Sequence, residues 1–186
     1  MADKYLSIIT NFGCHYTCPY CIVKNNNIDV PVTTLAGLDN LKRAIIDNEI
    51  TIVSVSGGGD PLFEYEKHKD WYERLFEILD GLNIPLEMHS SYLVSDFPYE
   101  KCKRVAYHLQ GSALLRSEPR HVYRHGDEIV RIVCVVQDYM TEKDLNSISD
   151  LVKSWGENSF ELTFRQRVDA EYKISYHLHD FLKAGH

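Results

Sequence analysis

No run of this sequence is apolar for long enough to cross a bilayer, and the first ten residues, MADKYLSIIT, place no basic stretch ahead of an apolar core. A membrane-spanning helix and a secretory signal are therefore not expected. Positive charge is in deficit: 20 Lys+Arg stand against 27 Asp+Glu, a net −7 with histidines neutral. That balance offers no electrostatic funnel toward a phosphate backbone and disfavours nucleic acid as the main partner. Internal repeats, low-complexity tracts and Pro/Gly/Ser linkers are also lacking, so residues 1–186 are expected to form one domain. Apolar content is not short: 44 % hydrophobic and 25 % charged residues lie in the ordinary globular range, which excludes disordered, collagen-like and mucin-like chains. The expectation is a soluble, cytoplasmic protein without a membrane partner.

Cysteine is scarce and unevenly placed. Of five, Cys14, Cys18 and Cys21 fall close together, whereas Cys102 and Cys134 stand alone. An odd, clustered set without a secretion signal points to metal ligation rather than a disulfide framework.

Strand-like and helix-like segments alternate along the chain. Tyr5 to Thr10 reads as a first strand, and Thr33 or Thr34 can cap a helix carrying Leu35, Leu38, Leu41 and Ile45. Ile50 to Val55 is a second, β-branched strand, followed by a helix with Trp71, Leu75, Ile78 and Leu79 on one face and Gly81 near its end. Ile84 to His89 and Val105 to Leu109 are shorter strand candidates, and Glu128 to Val136 is a strong one. Thr141 and Asp144 resemble a capping box opening a helix with Leu145, Ile148, Leu151, Val152 and Trp155. Phe160 to Arg167 alternates as a sixth strand, and Tyr172 to Leu182 can close the chain as a helix. Six βα units in series predict an α/β fold with a parallel sheet, layered or partly closed as a (β/α)6 barrel. A full eight-unit barrel would need about 250 residues. In such sheets ligands gather at the carboxyl ends of the strands, where both the cysteine cluster and Gly57-Gly58-Gly59 fall.

The segment Asn11 to Cys21 sets thiolates at C-x3-C-x2-C spacing on one loop. A structural zinc site takes four closed ligands and a closed [4Fe–4S] cluster four thiolates, so a cubane held by three leaves one iron open. His15 could complete a Cys3His zinc site, although its place beside Cys14 makes a shared metal awkward to reach. Cys102 or Cys134 could also close the set, yet Cys134 sits in an apolar strand and reads as a small buried hydrophobe.

Cys14-His-Tyr-Thr-Cys18-Pro-Tyr20-Cys21 resembles the signature of radical S-adenosylmethionine (radical SAM) enzymes, including the aromatic residue before the third cysteine. Ser56-Gly-Gly-Gly-Asp-Pro-Leu62 is similar to the Gly-Gly-Glu-Pro element after that superfamily's second strand. The resemblance implies a partial (β/α)6 TIM-like barrel of the radical SAM type. It further implies an oxygen-sensitive [4Fe–4S] cluster on Cys14, Cys18 and Cys21, with S-adenosyl-L-methionine (SAM) chelated to the open iron. An external donor such as flavodoxin or ferredoxin would reduce the cluster, and the 5′-deoxyadenosyl radical released from SAM would abstract hydrogen from a substrate. By the same resemblance Gly58, Gly59 and Asp60 hold the methionine amino group, with Asp60 one methylene shorter than the commoner Glu, and Tyr20 lies against adenine. Ser91 and Gln110 are candidates for the SAM carboxylate or ribose, and each also reads as an ordinary loop residue. The run from Gly57 to Pro61 alone reads as a tight strand-to-helix turn, and Tyr20 alone as packing over the loop.

For the substrate, the sixth strand separates Phe160, Leu162 and Phe164 from Glu161, Thr163, Arg165 and Arg167. Facing inward, Arg165 and Arg167 could clamp a carboxylate or phosphate; facing outward, they would pair with Glu161 or Asp169. Arg116, Arg120, His121, Arg124 and His125 form a basic stretch suited to an anionic substrate, an acidic protein partner or plain solvation. A second metal on His121 and His125 is disfavoured, and His177 and His179 read as surface residues. Two enzyme readings follow: hydrogen abstraction from a small anionic metabolite, favoured by Arg165 and Arg167, or installation of a glycyl radical on a protein partner. The rival outside enzymes is a non-catalytic zinc or iron–sulfur binding module.

Overall fold

A computed structural model describes residues 2–109, 129–155, 160–167 and 173. Six strands form: β1 (Tyr5–Thr10), β2 (Ile52–Gly57), β3 (Leu86–Ser90), β4 (Cys102–Leu109), β5 (Ile129–Val136) and β6 (Phe160–Gln166), of which β1, β2 and β5 are rich in β-branched residues. They pair in chain order, every pairing parallel, in a single sheet. The α/β class and the parallel sheet expected from the sequence are therefore present.

The register sorts side chains cleanly between two faces. Ser7 lies beside Ser54, Ser54 beside Glu87, Glu87 beside Arg104, Ala106 beside Arg131, Arg131 beside Glu161 and Val135 beside Arg165. Neighbours in register point the same way, so these residues share one polar face. The opposite face carries Val53, Val55, Leu86, Met88, Val105, Ile132, Cys134 and Phe164.

Four helices are described: α1 (Ile22–Asn25), α2 (Leu41–Asp47), α3 (Lys69–Leu82) and α4 (Glu142–Lys153). Helix α3 buries Trp71, Tyr72, Leu75, Phe76, Ile78 and Leu79 along one side. Together with Leu41 and Ile45 of α2 they seal the apolar face over β2, β3 and the start of β4. Each such fully buried side chain is worth about 1.5–3 kcal/mol. Leu145, Ile148 and Val152 of α4 do the same over β4, β5 and β6. The predicted capping box opens α4: Asp144 N–H donates to Thr141 Oγ1 (3.3 Å) and Thr141 N–H to Asp144 Oδ2 (2.8 Å).

The helix expected after Thr34 is broken into a 3-10 turn, Leu35–Leu38, and α2, because Gly37, Asp39 and Asn40 are poor helix formers at the join. Helices α1, α2 and α3 end alike. Asn27 (φ 49°), Glu49 (φ 53°) and Asn83 (φ 55°) turn left-handed, and an isoleucine follows each. Its N–H returns to the last turn: Ile28 to Val23 O (2.9 Å), Ile50 to Ile45 O (3.0 Å), Ile84 to Leu79 O (3.0 Å). Those caps consume Ile50 and Ile84, which explains why β2 and β3 begin at Ile52 and Leu86 rather than at the first apolar residue.

No helix among the described residues is long and apolar enough to cross a membrane. The basic stretch at 116–125 and, but for residue 173, the expected helix at 172–182 lie outside the described residues.

Candidate functional site

A cavity of about 600 Å³ opens at the carboxyl ends of β1, β2 and β3 and runs down the polar face. Its volume is that of a small-molecule site, on the order of 300–1,000 Å³. Cys14, Cys18, Cys21, Tyr20, Gly58, Gly59, Asp60, Ser91 and Arg165 all line it. Residues far apart in sequence and singled out on separate grounds thus share one wall.

The cysteine loop leaves β1 through Asn11, whose N–H donates to Thr33 Oγ1 (2.7 Å) and whose side-chain amide donates to Val30 O (2.6 Å). Phe12 next stacks on His68 (4.0 Å between ring centres) and meets Trp71 edge-on (5.4 Å), which anchors the loop to α3. Cys21 N–H donates to Cys18 O (3.1 Å) and Tyr16 N–H to Cys14 Sγ (3.4 Å). None of the three forms a disulfide, and all are half-buried. Burial, with the Cys18 thiol beside it, pushes the Tyr20 phenol well above its usual range.

Cys102 and Cys134 are buried in the apolar clusters behind the sheet and do not line the cavity. Burial pushes the Cys134 thiol up to about 11, as for an inert core residue. The His15 ring stacks on Tyr92 (4.1 Å) and packs against Phe63 (4.8 Å), and it is not part of the cavity wall. The cysteine donors facing the cavity are thus three thiols, a soft donor set that suits iron–sulfur or zinc ligation. Among the described residues no three His, Cys, Asp or Glu side chains stand as a group that could hold one metal ion.

The glycine loop is fitted to the cysteine loop, backbone on backbone. Gly58 N–H donates to Thr10 O (2.7 Å) and Asp60 N–H to Gly13 O (2.8 Å). A Cβ on Gly59 would stand 2.0 Å from Gly13 O, and one on Gly57 would stand 2.1 Å from Gly59 O. The close approach that these glycines permit is therefore first of all that of one loop to the other. Tyr72 of α3 fixes the exit of the turn, its hydroxyl donating to Pro61 O (2.6 Å).

Asp60 is buried, and its carboxylate accepts from Leu62 N–H (2.9 Å), Ser90 Oγ (2.7 Å) and Ser91 N–H (2.7 Å). Burial raises its pKa above the usual carboxylate range, and the three donors pull the other way. It binds the end of β3 to the turn after β2, and the same contact holds Ser91 at the cavity wall.

Below the loops the polar face carries a charge network not anticipated from the sequence. Arg104 Nη1 meets Glu87 Oε2 (2.7 Å) and Nη2 meets Glu161 Oε1 (3.1 Å), while Arg131 Nε meets Glu161 Oε2 (2.6 Å). His89 bonds Glu87 Oε1 through Nε2 (2.7 Å) and His108 Nε2 through Nδ1 (3.2 Å). The His89 hydrogen bond, reinforced by Arg104, holds Glu87 down to about 2. Burial, with His89 and the Arg165 guanidinium nearby, holds His108 down to about 3, so its ring is neutral at pH 7. The signal was present in period-two polar positions, Glu87 and His89 on β3 and Arg104 and His108 on β4, within segments otherwise apolar.

The two candidate substrate arginines part company. Arg165 lines the cavity, whereas Arg167 pairs with Asp138 (3.3 Å) and does not. Glu161, one candidate partner for them, is engaged by Arg104 and Arg131 instead. Gln110 lies outside the described residues. Set against models of known protein families the chain matches none, and no curated protein matches it.

Proposed function

We propose that this chain is a radical SAM enzyme with a (β/α)6 partial barrel, acting on a small anionic substrate. Cys14, Cys18 and Cys21 would hold a [4Fe–4S] cluster, with SAM beside it along the glycine loop. The observation that carries this reading is the convergence of three thiols, the glycine turn and Tyr20 on one cavity at the carboxyl ends of the first strands, with both other cysteines sequestered behind the sheet. Chain-order strands, with α2, α3 and α4 packed on one face and a polar opposite face, support a barrel wall over a doubly wound sheet, in which helices cover both faces.

Bound there, the cluster and SAM supply one-electron chemistry that begins with hydrogen abstraction from the substrate. The protein's own part is positioning. Gly58 and Gly59, seated against Val30 and Gly13, present backbone on the cavity wall, and Asp60, held by three donors, offers a fixed carboxylate on the same wall. Tyr20 provides an aromatic surface beside the thiols, and Arg165 offers planar paired donors to an anionic substrate. Half-burial of the thiols limits water and oxygen at the cluster.

The test is anaerobic reconstitution with iron and sulfide, followed by reduction in the presence of SAM. The expected result is a brown protein with cluster absorbance that releases 5′-deoxyadenosine, and Cys18→Ala should abolish the release. Stoichiometric zinc with no visible absorbance, or undiminished release from the Cys18 variant, overturns the assignment.

A further inference from the structure

We propose that Glu87, His89 and His108 form a proton relay that opens into the cavity at His108, beside Arg165. An anionic substrate held there would lose a proton to His108, and the positive charge would come to rest on His89. This deepens the reading of the cavity as the reaction site and rests on it.

The geometry is set by the sheet. Glu87 and His89 stand two apart on β3 and share its polar face, and His108 projects from the same face of β4. The contacts run in sequence: Glu87 Oε1 to His89 Nε2 at 2.7 Å, then His89 Nδ1 to His108 Nε2 at 3.2 Å. Glu87 is buried and its second oxygen is occupied by Arg104 Nη1 (2.7 Å). The charged and titratable groups facing this chain are Glu87 and His89 from β3, Arg104 and His108 from β4, Arg131 from β5, and Glu161 and Arg165 from β6.

Hydrogen-bond chemistry then fixes the protons. An ionised Glu87 can only accept, so His89 Nε2 donates to it. In neutral His89 the other nitrogen must accept, so His108 Nε2 donates to His89 Nδ1. His108 Nδ1 is left as the basic atom, with no hydrogen-bond partner among the described residues.

Electrostatics fixes the direction. A proton kept on His108 would make an imidazolium beside the Arg165 guanidinium, in the surroundings that hold His108 neutral. Passed on, it makes His89 the imidazolium, against the Glu87 carboxylate. The step balances as follows. The substrate X–H bond breaks and its electron pair stays on the substrate, while an N–H bond forms at His108 Nδ1. The His108 Nε2–H bond breaks and an N–H bond forms at His89 Nδ1, with Glu87 remaining a carboxylate. The substrate class is an acid bearing a carboxylate or phosphate for Arg165 and an acidic O–H, N–H or C–H within reach of His108. His108 is then a catalytic residue, and His89 and Glu87 are positioning residues.

The experiment is a pH titration of the full-length protein with 15N-labelled histidine, read by long-range proton–nitrogen correlation and needing neither cluster nor substrate. The expected result is a His108 ring protonated at Nε2 at neutral pH. At the pH where His89 takes up its proton, His108 should switch to the Nδ1–H tautomer and stay neutral. In Glu87→Gln, the side-chain oxygen stays on Arg104 and the amide N–H turns to His89, so both rings should reverse tautomer already at neutral pH. A His108 that becomes an imidazolium on its own, or keeps one tautomer throughout the wild-type titration, overturns the relay even if the variant does not fold. A relay that behaves as expected in a protein unable to release 5′-deoxyadenosine after reconstitution removes the proposed function alone, so the two failures are distinguishable.

Discussion

Gly59→Ala puts the junction of the two loops to a quantitative test. The added methyl carbon would lie 2.0 Å from Gly13 O and 2.7 Å from Gly13 C, backbone atoms that cannot rotate away. A tolerable contact requires the loops to part by about 1 Å. Gly13 is poorly placed to retreat: it already sits at φ 112°, and Phe63 stands where its own Cβ would be, at 2.6 Å. Parting the loops also stretches the Asp60 N–H to Gly13 O bond (2.8 Å). Overpacking of this kind costs about 1–3 kcal/mol, and the weakened hydrogen bond about 1 kcal/mol more. Against a total stability on the order of 5–15 kcal/mol the variant should fold, with its urea midpoint lowered and its cysteine loop displaced from the cavity wall. Iron content after anaerobic reconstitution should fall below the wild-type ratio. Gly81→Ala is the control: nothing lies within 4 Å of its Cβ and it sits inside α3, so it should stabilise by about 0.5–1 kcal/mol. A Gly59→Ala protein with an unshifted midpoint and a full complement of iron would refute the claim that the two loops are interlocked.

Other perturbations separate neighbouring roles. Arg165→Gln should lower kcat/KM for an anionic substrate about 10- to 100-fold, the loss of one charged hydrogen bond, while sparing substrate-free cleavage of SAM. Arg167→Gln, which loses only the pairing with Asp138, should stay within about twofold of wild type, and equal losses in the two variants would refute the division. Because Glu87 is held near 2, below its ordinary 4.5, its contribution to stability is fully present above pH 4.5 and drains away as pH falls toward 2. Urea midpoints should follow that fall in the wild type and flatten over the same window in Glu87→Gln, which should already be weaker by about 3 kcal/mol at pH 7. Thr141→Ala removes the cap of α4 and should cost about 1 kcal/mol by the same assay, and no change would mean that the capping box bears no load.

Local chemistry was legible in the sequence and long-range pairing was not. Strands β1, β2 and β5 announce themselves as β-branched runs and β6 by its alternation, and Thr141 and Asp144 mark the start of α4 by residue type alone. The strand starts at Ile50 and Ile84 were misplaced because an isoleucine can serve either a strand or a helix cap. What decides is the left-handed residue before it, here Glu49 or Asn83 rather than the usual glycine. At the site, the C-x3-C-x2-C spacing and the glycine run each lie within one loop, so they could be read directly. Glu161 could not be: its partners Arg104 and Arg131 come from two other strands, and only the register across β4, β5 and β6 brings them together. The same holds for His89 and His108, adjacent only once β3 and β4 are paired.

The polar face has an energetic consequence. Parallel sheets are normally covered on both faces, and complete barrels fill their interior with layers of branched apolar side chains. Here α2, α3 and α4 cover one face, and the other presents serines, histidines and a compensated set of two arginines and two glutamates. Such a face contributes little hydrophobic stabilisation, and each buried charge on it depends on its partner. Cohesion must then come from the two apolar clusters behind the sheet, in which α2, α3 and α4 are packed. A ligand that fills such a cavity stabilises the fold by mass action, by about 2.7 kcal/mol at a hundred times the dissociation constant. On the proposed reading, the polar side chains that keep this face from being an apolar core are the ones that would hold and deprotonate a charged substrate.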